Sequence, residues 1–250
     1  MKKNYTHISV VLDKSGSMES CLKDTIGGFN QFLKTQKELK GDATFTMVQF
    51  NCNYDMIVDM LPLKNVEELS NENYCPNGGT ALLDAIGRTI NNVESKINDK
   101  DEDAKPEKVI FVIITDGEEN SSKEFNREQI MQMINNHRSE QKWEFVFIGA
   151  NQDAIQSGSG MGVRAGNSLS YAASGAGVQA MYCSLTKGMT SYRSLSFDET
   201  KDMDFFDATD REAQEDLGAQ KSSFIKNPKG MFQNMYAGTT TDVKKPKSKK

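Results

Sequence analysis

Three short runs of hydrophobic residues are the strongest pattern in this chain. They are rich in β-branched and aromatic residues, barely alternate with polar ones, and occupy positions 8–12, 109–114 and 145–148. Strands of a parallel sheet are covered by helices on both faces and carry uninterrupted runs of this kind. The runs therefore predict central strands of a parallel sheet that lies between two helical layers.

Between these runs, hydrophobic residues recur three or four positions apart, which is the spacing of one face of an α-helix. The three series are Leu22, Ile26, Phe29, Leu33; Leu82, Ile86, Ile90, Val93, Ile97; and Ile130, Met133, Ile134, His137. Two further strands fit between the first two helices. Residues 44–50 predict a buried strand, and residues 55–61 alternate enough to predict an edge strand.

The resulting order of elements, β-α-β-β-α-β-α-β, predicts an α/β fold with a doubly wound, mostly parallel sheet and one antiparallel edge strand. After residue 150 the pattern weakens to a short helix, a short strand at 169–172 and a closing helix at 178–193. We assign residues 1–194 to this domain. Residues 195–250 predict a charged extension, partly helical and partly disordered, because an acidic stretch is followed by a basic end.

Composition narrows the possible functions. A net charge of −5 and a pI near 5.3 argue against a general nucleic-acid-binding protein. Only the Lys-rich end at 244–250 offers a contact to nucleic acid or to an acidic surface. No apolar run is long enough to cross a membrane, and no apolar segment of a secretion signal follows Met1. We therefore expect no membrane association.

The four cysteines are widely spaced and include no CxxC pair: Cys21, Cys52, Cys75 and Cys183. Such spacing is typical of reduced thiols rather than of a disulfide framework or a zinc site. We therefore expect a cytoplasmic protein.

A group of oxygen-bearing side chains follows the first predicted strand. Asp13, Ser15 and Ser17 alternate with other residues, and Gly16 allows the backbone between them to turn tightly. In an open α/β sheet, ligands bind beyond the carboxyl ends of the strands, near the point where the strand order reverses. This loop is therefore in the right place for a binding site, and its oxygens suit a hard cation such as Mg²⁺, Ca²⁺ or Mn²⁺.

Two more loops add oxygen atoms at the same edge. Gly78 and Gly79 precede Thr80, which stands at the start of the second predicted helix. Asp116 and Gly117 follow the strand at 109–114, at its carboxyl end. The three loops together predict two carboxylates and three hydroxyls at one edge of the sheet.

These three loops, DxSxS, Gly-Gly-Thr and Thr-Asp-Gly, resemble the metal-ion-dependent adhesion site of von Willebrand factor A (VWA) domains, over roughly residues 5–193. The resemblance implies that Ser15 and Ser17 coordinate the metal directly and that Thr80 joins them in the ligand-bound state. It implies that Asp13 and Asp116 hold coordinated water or move between the outer and inner shell. The chain is also similar to short, stand-alone VWA proteins of bacteria and phages, including those of tellurite-resistance clusters.

A site of this kind implies binding rather than catalysis. We expect a Mg²⁺-dependent module, with Ca²⁺ or Mn²⁺ as alternatives, whose metal is completed by an exposed Asp or Glu of a protein partner. The alternative is a scaffold or phage virion component, in which the metal braces the loops and the extension drives assembly. In that case the protein resides in the virion rather than in the host cytoplasm.

The residues argue against an enzyme. Haloacid-dehalogenase phosphatases also place an Asp after the first strand, but they need a second Asp where this chain has Ser15. A serine hydrolase needs a GxSxG elbow and an available histidine. The chain has two histidines, His7 and His137, and both fall within predicted strand or helix patterns. We therefore expect no catalytic residues.

Overall fold

The described part of the chain, residues 1–150, 153–201 and 203–220 of a computed structural model, contains a six-stranded sheet in the order β3-β2-β1-β4-β5-β6. The strands are β1 (Lys2–Asp13), β2 (Asp42–Phe50), β3 (Tyr54–Pro62), β4 (Pro106–Thr115), β5 (Glu144–Ala150) and β6 (Ser168–Tyr171). All neighbouring pairs are parallel except β2 and β3, which are antiparallel. The predicted fold class, with its antiparallel edge strand, is confirmed.

Six α-helices connect and cover the strands within these residues. They are α1 (Leu22–Glu38), α2 (Leu82–Asn98), α3 (Arg127–Glu140), α4 (Ala154–Ser159), α5 (Gly175–Ser194) and α6 (Ala208–Asp216). Among them no helix is both long and apolar enough to cross a bilayer.

The uninterrupted hydrophobic runs are explained by two cores, one on each face of the sheet. Along β4, Ile110 and Val112 pack on the side of α1 and α5, whereas Phe111 and Ile113 pack on the side of α2 and α3. Successive side chains of a strand point to opposite faces. Most positions of a strand that is covered on both sides are therefore apolar, and buried polar side chains such as His7 and Ser9 bond to each other.

Packing against the sheet continues beyond residue 194. Phe205 and Phe206 are buried in the core that α1 and α5 share. The Arg211 guanidinium donates to the carbonyls of Ala165 and Ser168, and the Gln214 side chain bonds to the backbone beside β6 and within α5. Residues 195–220 of the predicted extension thus pack onto the domain. Residues 221–250, with the Lys-rich end, lie outside the described residues.

Candidate metal centre

Asp13 and Asp116 lie next to each other at the carboxyl edge of the sheet. Asp13 is the last residue of β1, Asp116 directly follows β4, and these two strands pair in parallel. The strand order reverses here, since the chain passes from β1 to β2 on one side and reaches β4 on the other. This is the position at which open α/β sheets bind ligands.

Asp13 is held firmly by hydrogen bonds to both of its carboxylate oxygens. Oδ1 accepts from the backbone N–H of Ser15 at 2.6 Å, and Oδ2 accepts from the Thr115 hydroxyl at 2.6 Å. The Tyr74 hydroxyl donates to the Asp13 carbonyl at 2.7 Å. The side chain is fully buried, so it fixes the loop that follows β1 rather than facing solvent.

The two serines of that loop reach Asp116. The Ser15 and Ser17 hydroxyl oxygens are 3.1 Å apart, and the Ser17 hydroxyl donates to Oδ1 of Asp116 at 2.6 Å. Ser15 and Ser17 therefore form one continuous hydrogen-bonded group with Asp116, which lies 99 residues beyond Ser17 along the chain.

Thr80 joins this group through two glycines. The carbonyl of Gly78 accepts from the N–H of Gly16 at 3.0 Å, and Gly78 has a φ of +75°, a conformation that favours glycine. A methyl group built on Gly117 would lie 2.9 Å from the Thr80 hydroxyl oxygen and 3.7 Å from that of Ser15. Both hydroxyls therefore face Gly117, and the structure brings all five predicted side chains to one place.

Sequence reasoning missed the residues that hold Thr80. The Asn120 side chain accepts from the Thr80 N–H at 2.9 Å, and the Asn120 N–H donates back to the Thr80 carbonyl at 3.0 Å. This reciprocal pair ties the loop after β4 to the start of α2. The only signal in the sequence is a run of short polar residues after Gly117, a composition that favours local bonds to the backbone.

Two carboxylates, which we call the latch, fasten the same loop. Asp84 accepts the backbone N–H groups of three consecutive residues, Lys123, Glu124 and Phe125. Glu119 accepts from the N–H groups of Ser121, Ser122 and Leu83. The latch pins the loop after β4 onto the first turn of α2, beside Thr80.

Burial dominates the electrostatics of Asp13 and Asp116. Burial raises the pKa of Asp13 to about 6, against the hydrogen bonds from Thr115 and Ser15, and the charge of Asp116 adds to the rise. Burial also raises the pKa of Asp116, against its hydrogen bond from Ser17. The lysine of this loop, Lys14, pairs with Asp55 on β3 at 2.6 Å. Positive charge brought close to the two carboxyls would therefore stabilise their anionic forms.

The donor chemistry of these residues fits a hard divalent cation. Every donor is oxygen, which is the ligand type that Mg²⁺ and Ca²⁺ prefer. Within the described ranges, no group of three or more His, Cys, Asp or Glu side chains is placed to hold a metal. Beside the two carboxylates, Ser15, Ser17 and Thr80 offer three hydroxyl oxygens as further donors.

Comparison with solved structures identifies the fold. The chain is similar to the pilus adhesin SpaC from Lactobacillus rhamnosus GG in its open conformation, with 14% identity over 76% of this chain and 30% of that chain, and a TM-score of 0.57. It is also similar to the vWF domain of the type V pili tip protein Mfa5 from Porphyromonas gingivalis, with 9% identity over 74% and 95% of the two chains and a TM-score of 0.55. Proximal thread matrix protein 1 from the mussel byssus shares 14% identity over 73% of this chain and 45% of that chain, with a TM-score of 0.51.

These similarities show that the chain has a VWA fold. They do not extend to function, because the identities are low and the chain spans less than half the length of SpaC and of the byssus protein. No family model and no curated protein sequence matches the chain.

Proposed function

We propose that this chain is a divalent-cation-dependent protein-binding module without enzymatic activity, and that it captures a partner through an exposed Asp or Glu. The cation is Mg²⁺, with Ca²⁺ and Mn²⁺ as alternatives. The observation that carries the proposal is the meeting of three hydroxyls and two buried carboxyls from three loops at the point where the strand order reverses.

The residues divide into two roles in this proposal. Ser15, Ser17 and Thr80 supply neutral oxygens directly to the cation. Asp13 and Asp116 compensate the charge of the cation mainly from its outer shell. A cation held mostly by neutral oxygens keeps enough positive charge to accept a further carboxylate oxygen from outside. Asp13 suits its role because both of its oxygens are already engaged by the loop and by Thr115.

The surface around the centre restricts the partner. Glu19 and Glu118 are exposed close to it in sequence, and Lys14 is already paired with Asp55. A partner surface that is acidic throughout would be repelled by Glu19 and Glu118. We therefore expect a single Asp or Glu surrounded by neutral or basic residues, with the neighbouring contacts supplying most of the affinity.

The positions of the histidines support a binding role over catalysis. His7 is fully buried in β1, where its ring bonds to the hydroxyls of Thr44 and Ser9. The His137 ring packs against Trp143 at 4.5 Å and bonds to the carbonyl of Met133. These contacts hold both rings within the fold, so neither histidine is placed as a general base for the candidate metal centre.

The proposal is tested first by cation binding to the full-length protein. Mg²⁺, Ca²⁺ and Mn²⁺ are titrated in turn by calorimetry and by thermal unfolding. At least one cation should bind the wild type and raise its midpoint of unfolding, because it binds only the folded chain. Ser15→Ala should remove both effects, whereas Ser20→Ala, which changes an exposed hydroxyl of the same turn, should retain them.

Partner capture is the second part of the test. Proteins retained from a lysate of the native host by the wild type should be lost with EDTA and with Ser15→Ala, and kept with Ser20→Ala. Flat titrations with all three cations, or capture that survives both EDTA and Ser15→Ala, would refute the proposed function.

A further inference from the structure

A cavity of about 520 Å³ lies at the opposite, amino edge of the sheet. It opens between the end of α3, the start of β5 and the segment that follows α5. Its lining includes Asn135, Arg138, Lys142, Arg164, Phe197 and Lys201. The cavity shares no residue with the candidate metal centre, so nothing in the proposed function accounts for it.

The cavity carries an excess of positive charge. Four basic side chains line it, and among the described lining residues Glu144 is the only carboxylate. Glu144 is already engaged by Arg164 at 2.8 Å and by Asn167 at 2.6 Å. In the described part of the chain neither Arg138 nor Lys142 pairs with an acidic side chain, so an anion from outside would complete the charge balance. Burial lowers the pKa of Arg138, as does nearby Arg164, against the opposing effect of Glu144.

Two ammonium groups at the cavity each contact the same aromatic ring, that of Phe197. Lys142 Nζ lies 5.3 Å and Lys201 Nζ lies 5.5 Å from the ring centroid of Phe197. Cation–π attraction orders both long side chains. Lys201 also pairs with exposed Asp198, and the charge of Lys142 acts on the same carboxylate. The ring of Phe197 therefore holds two cationic side chains at the cavity, of which Lys142 forms no salt bridge in the described part of the chain.

Lys142 follows α3 in a left-handed backbone conformation that favours glycine. Lys142 has a φ of +58° and lies just past the end of α3. Helices commonly end with a residue in this conformation, and that residue is usually glycine, because a side chain makes it unfavourable. A lysine here lowers the stability of the fold, and strain of this kind concentrates at binding sites.

We propose that this cavity binds a small phosphorylated molecule. Arg138, Lys142 and Lys201 would contact phosphate oxygens, since guanidinium and ammonium groups form strong, charge-assisted hydrogen bonds to phosphate. The side-chain amides of Asn135 and Asn136 add neutral donors and acceptors. The volume lies within the range of about 300–1,000 Å³ that is typical of small-molecule sites.

The test uses the full chain, in EDTA so that the candidate metal centre plays no part. Phosphate, pyrophosphate and ATP are each titrated by calorimetry. At least one should bind, and Lys142→Gln and Arg138→Gln should each weaken it about tenfold, because each removes a charged hydrogen-bond donor. Lys23→Gln, which removes an exposed lysine of α1 and the same net charge, should leave the affinity unchanged. Equal binding of pyrophosphate and ATP assigns recognition to the phosphates alone, and tighter binding of ATP adds its nucleoside.

Lys142→Gly separates binding from folding. It should raise the midpoint of thermal unfolding by a few degrees, since glycine adopts the left-handed conformation without strain, and yet weaken binding as Lys142→Gln does. The proposal fails if none of the three compounds binds at millimolar concentration, or if Lys23→Gln weakens binding as much as Lys142→Gln. Binding of a hexaglutamate peptide with no binding of the phosphates would also overturn it, in favour of an acidic peptide.

Discussion

Asp13 and Asp116 of the candidate metal centre differ from Asp84 of the latch in the direction in which the fold shifts their pKa values. Burial raises the pKa of both Asp13 and Asp116. Burial acts on Asp84 in the same direction, but the backbone N–H groups of Lys123, Phe125 and Glu124 outweigh it, and the pKa of Asp84 is lowered. The difference lies in how deeply each group is buried and in the number of backbone donors around it, not in the type of residue.

This difference separates Asp84, which has a structural role, from Asp13 and Asp116, whose charge we propose a cation balances. Three backbone N–H groups stabilise Asp84 as an anion without a metal. Its role is to hold the loop after β4. Asp13 is satisfied by one N–H and one hydroxyl, and Asp116 receives the Ser17 hydroxyl. Under the proposed function, a bound cation would stabilise the two anions and with them the fold.

The largest expected effect is the loss of the latch. Asp84→Ala removes the acceptor of three backbone N–H groups in a buried position, and we expect it to lower the free energy of unfolding by about 3 kcal/mol. Urea denaturation measures this change. Glu118→Ala, at an exposed carboxylate one position from Glu119, should change it by less than about 0.5 kcal/mol. Equal effects of the two variants would show that the N–H contacts of Asp84 contribute little.

A smaller effect of a different kind is expected at the centre itself. Asp116→Asn removes a buried negative charge and should leave the stability of the cation-free protein unchanged or raised. It should also abolish the stabilisation by Mg²⁺, which is roughly 2 kcal/mol when the cation concentration is about thirty times the Kd. Thermal unfolding with EDTA and with Mg²⁺ measures both. If Asp116→Asn destabilises the cation-free protein as much as Asp84→Ala, the two regions do not differ as described.

The smallest expected effect is a change in the free energy of unfolding at low pH. A carboxylate with a lowered pKa in the folded state contributes stability above its unfolded value of 3.8, and this contribution is lost as the pH falls through the folded pKa. Asp84→Asn cannot titrate. The difference in unfolding free energy between wild type and Asp84→Asn should therefore shrink as the pH is lowered below 3.8, in urea denaturation at a series of pH values. A constant difference would contradict the lowered pKa.

The strands and the loops of the candidate centre were predictable because their signals are local. A strand covered on both faces is mostly apolar, so the runs at 8–12 and 109–114 mark strands β1 and β4 and also show where they end. Once the strand ends are known, the parallel sheet dictates that the loops after β1 and β4 lie at the same edge. The fold class follows from the same reasoning.

The latch and the basic cavity were not predictable, because they depend on contacts between distant segments. Asp84 reads as an acidic residue in the first turn of a helix, and only the return of the loop after β4 gives it three N–H partners. The cavity combines side chains from positions 135 to 201, none of which forms a motif. Phe205 and Phe206 were likewise hidden within an acidic stretch that resembles a solvated segment.

Phe205 and Phe206 also limit where a hybrid of this protein and another protein of the same fold can be joined. They complete the core beside α5 from beyond the last helix of the predicted domain. A hybrid protein joined at residue 194 would combine the sheet of one chain with the segment after α5 from another. Side chains that do not match Phe205 and Phe206 in size would then leave voids or clashes in the core. A junction after residue 220 keeps Phe205 and Phe206 with their own sheet.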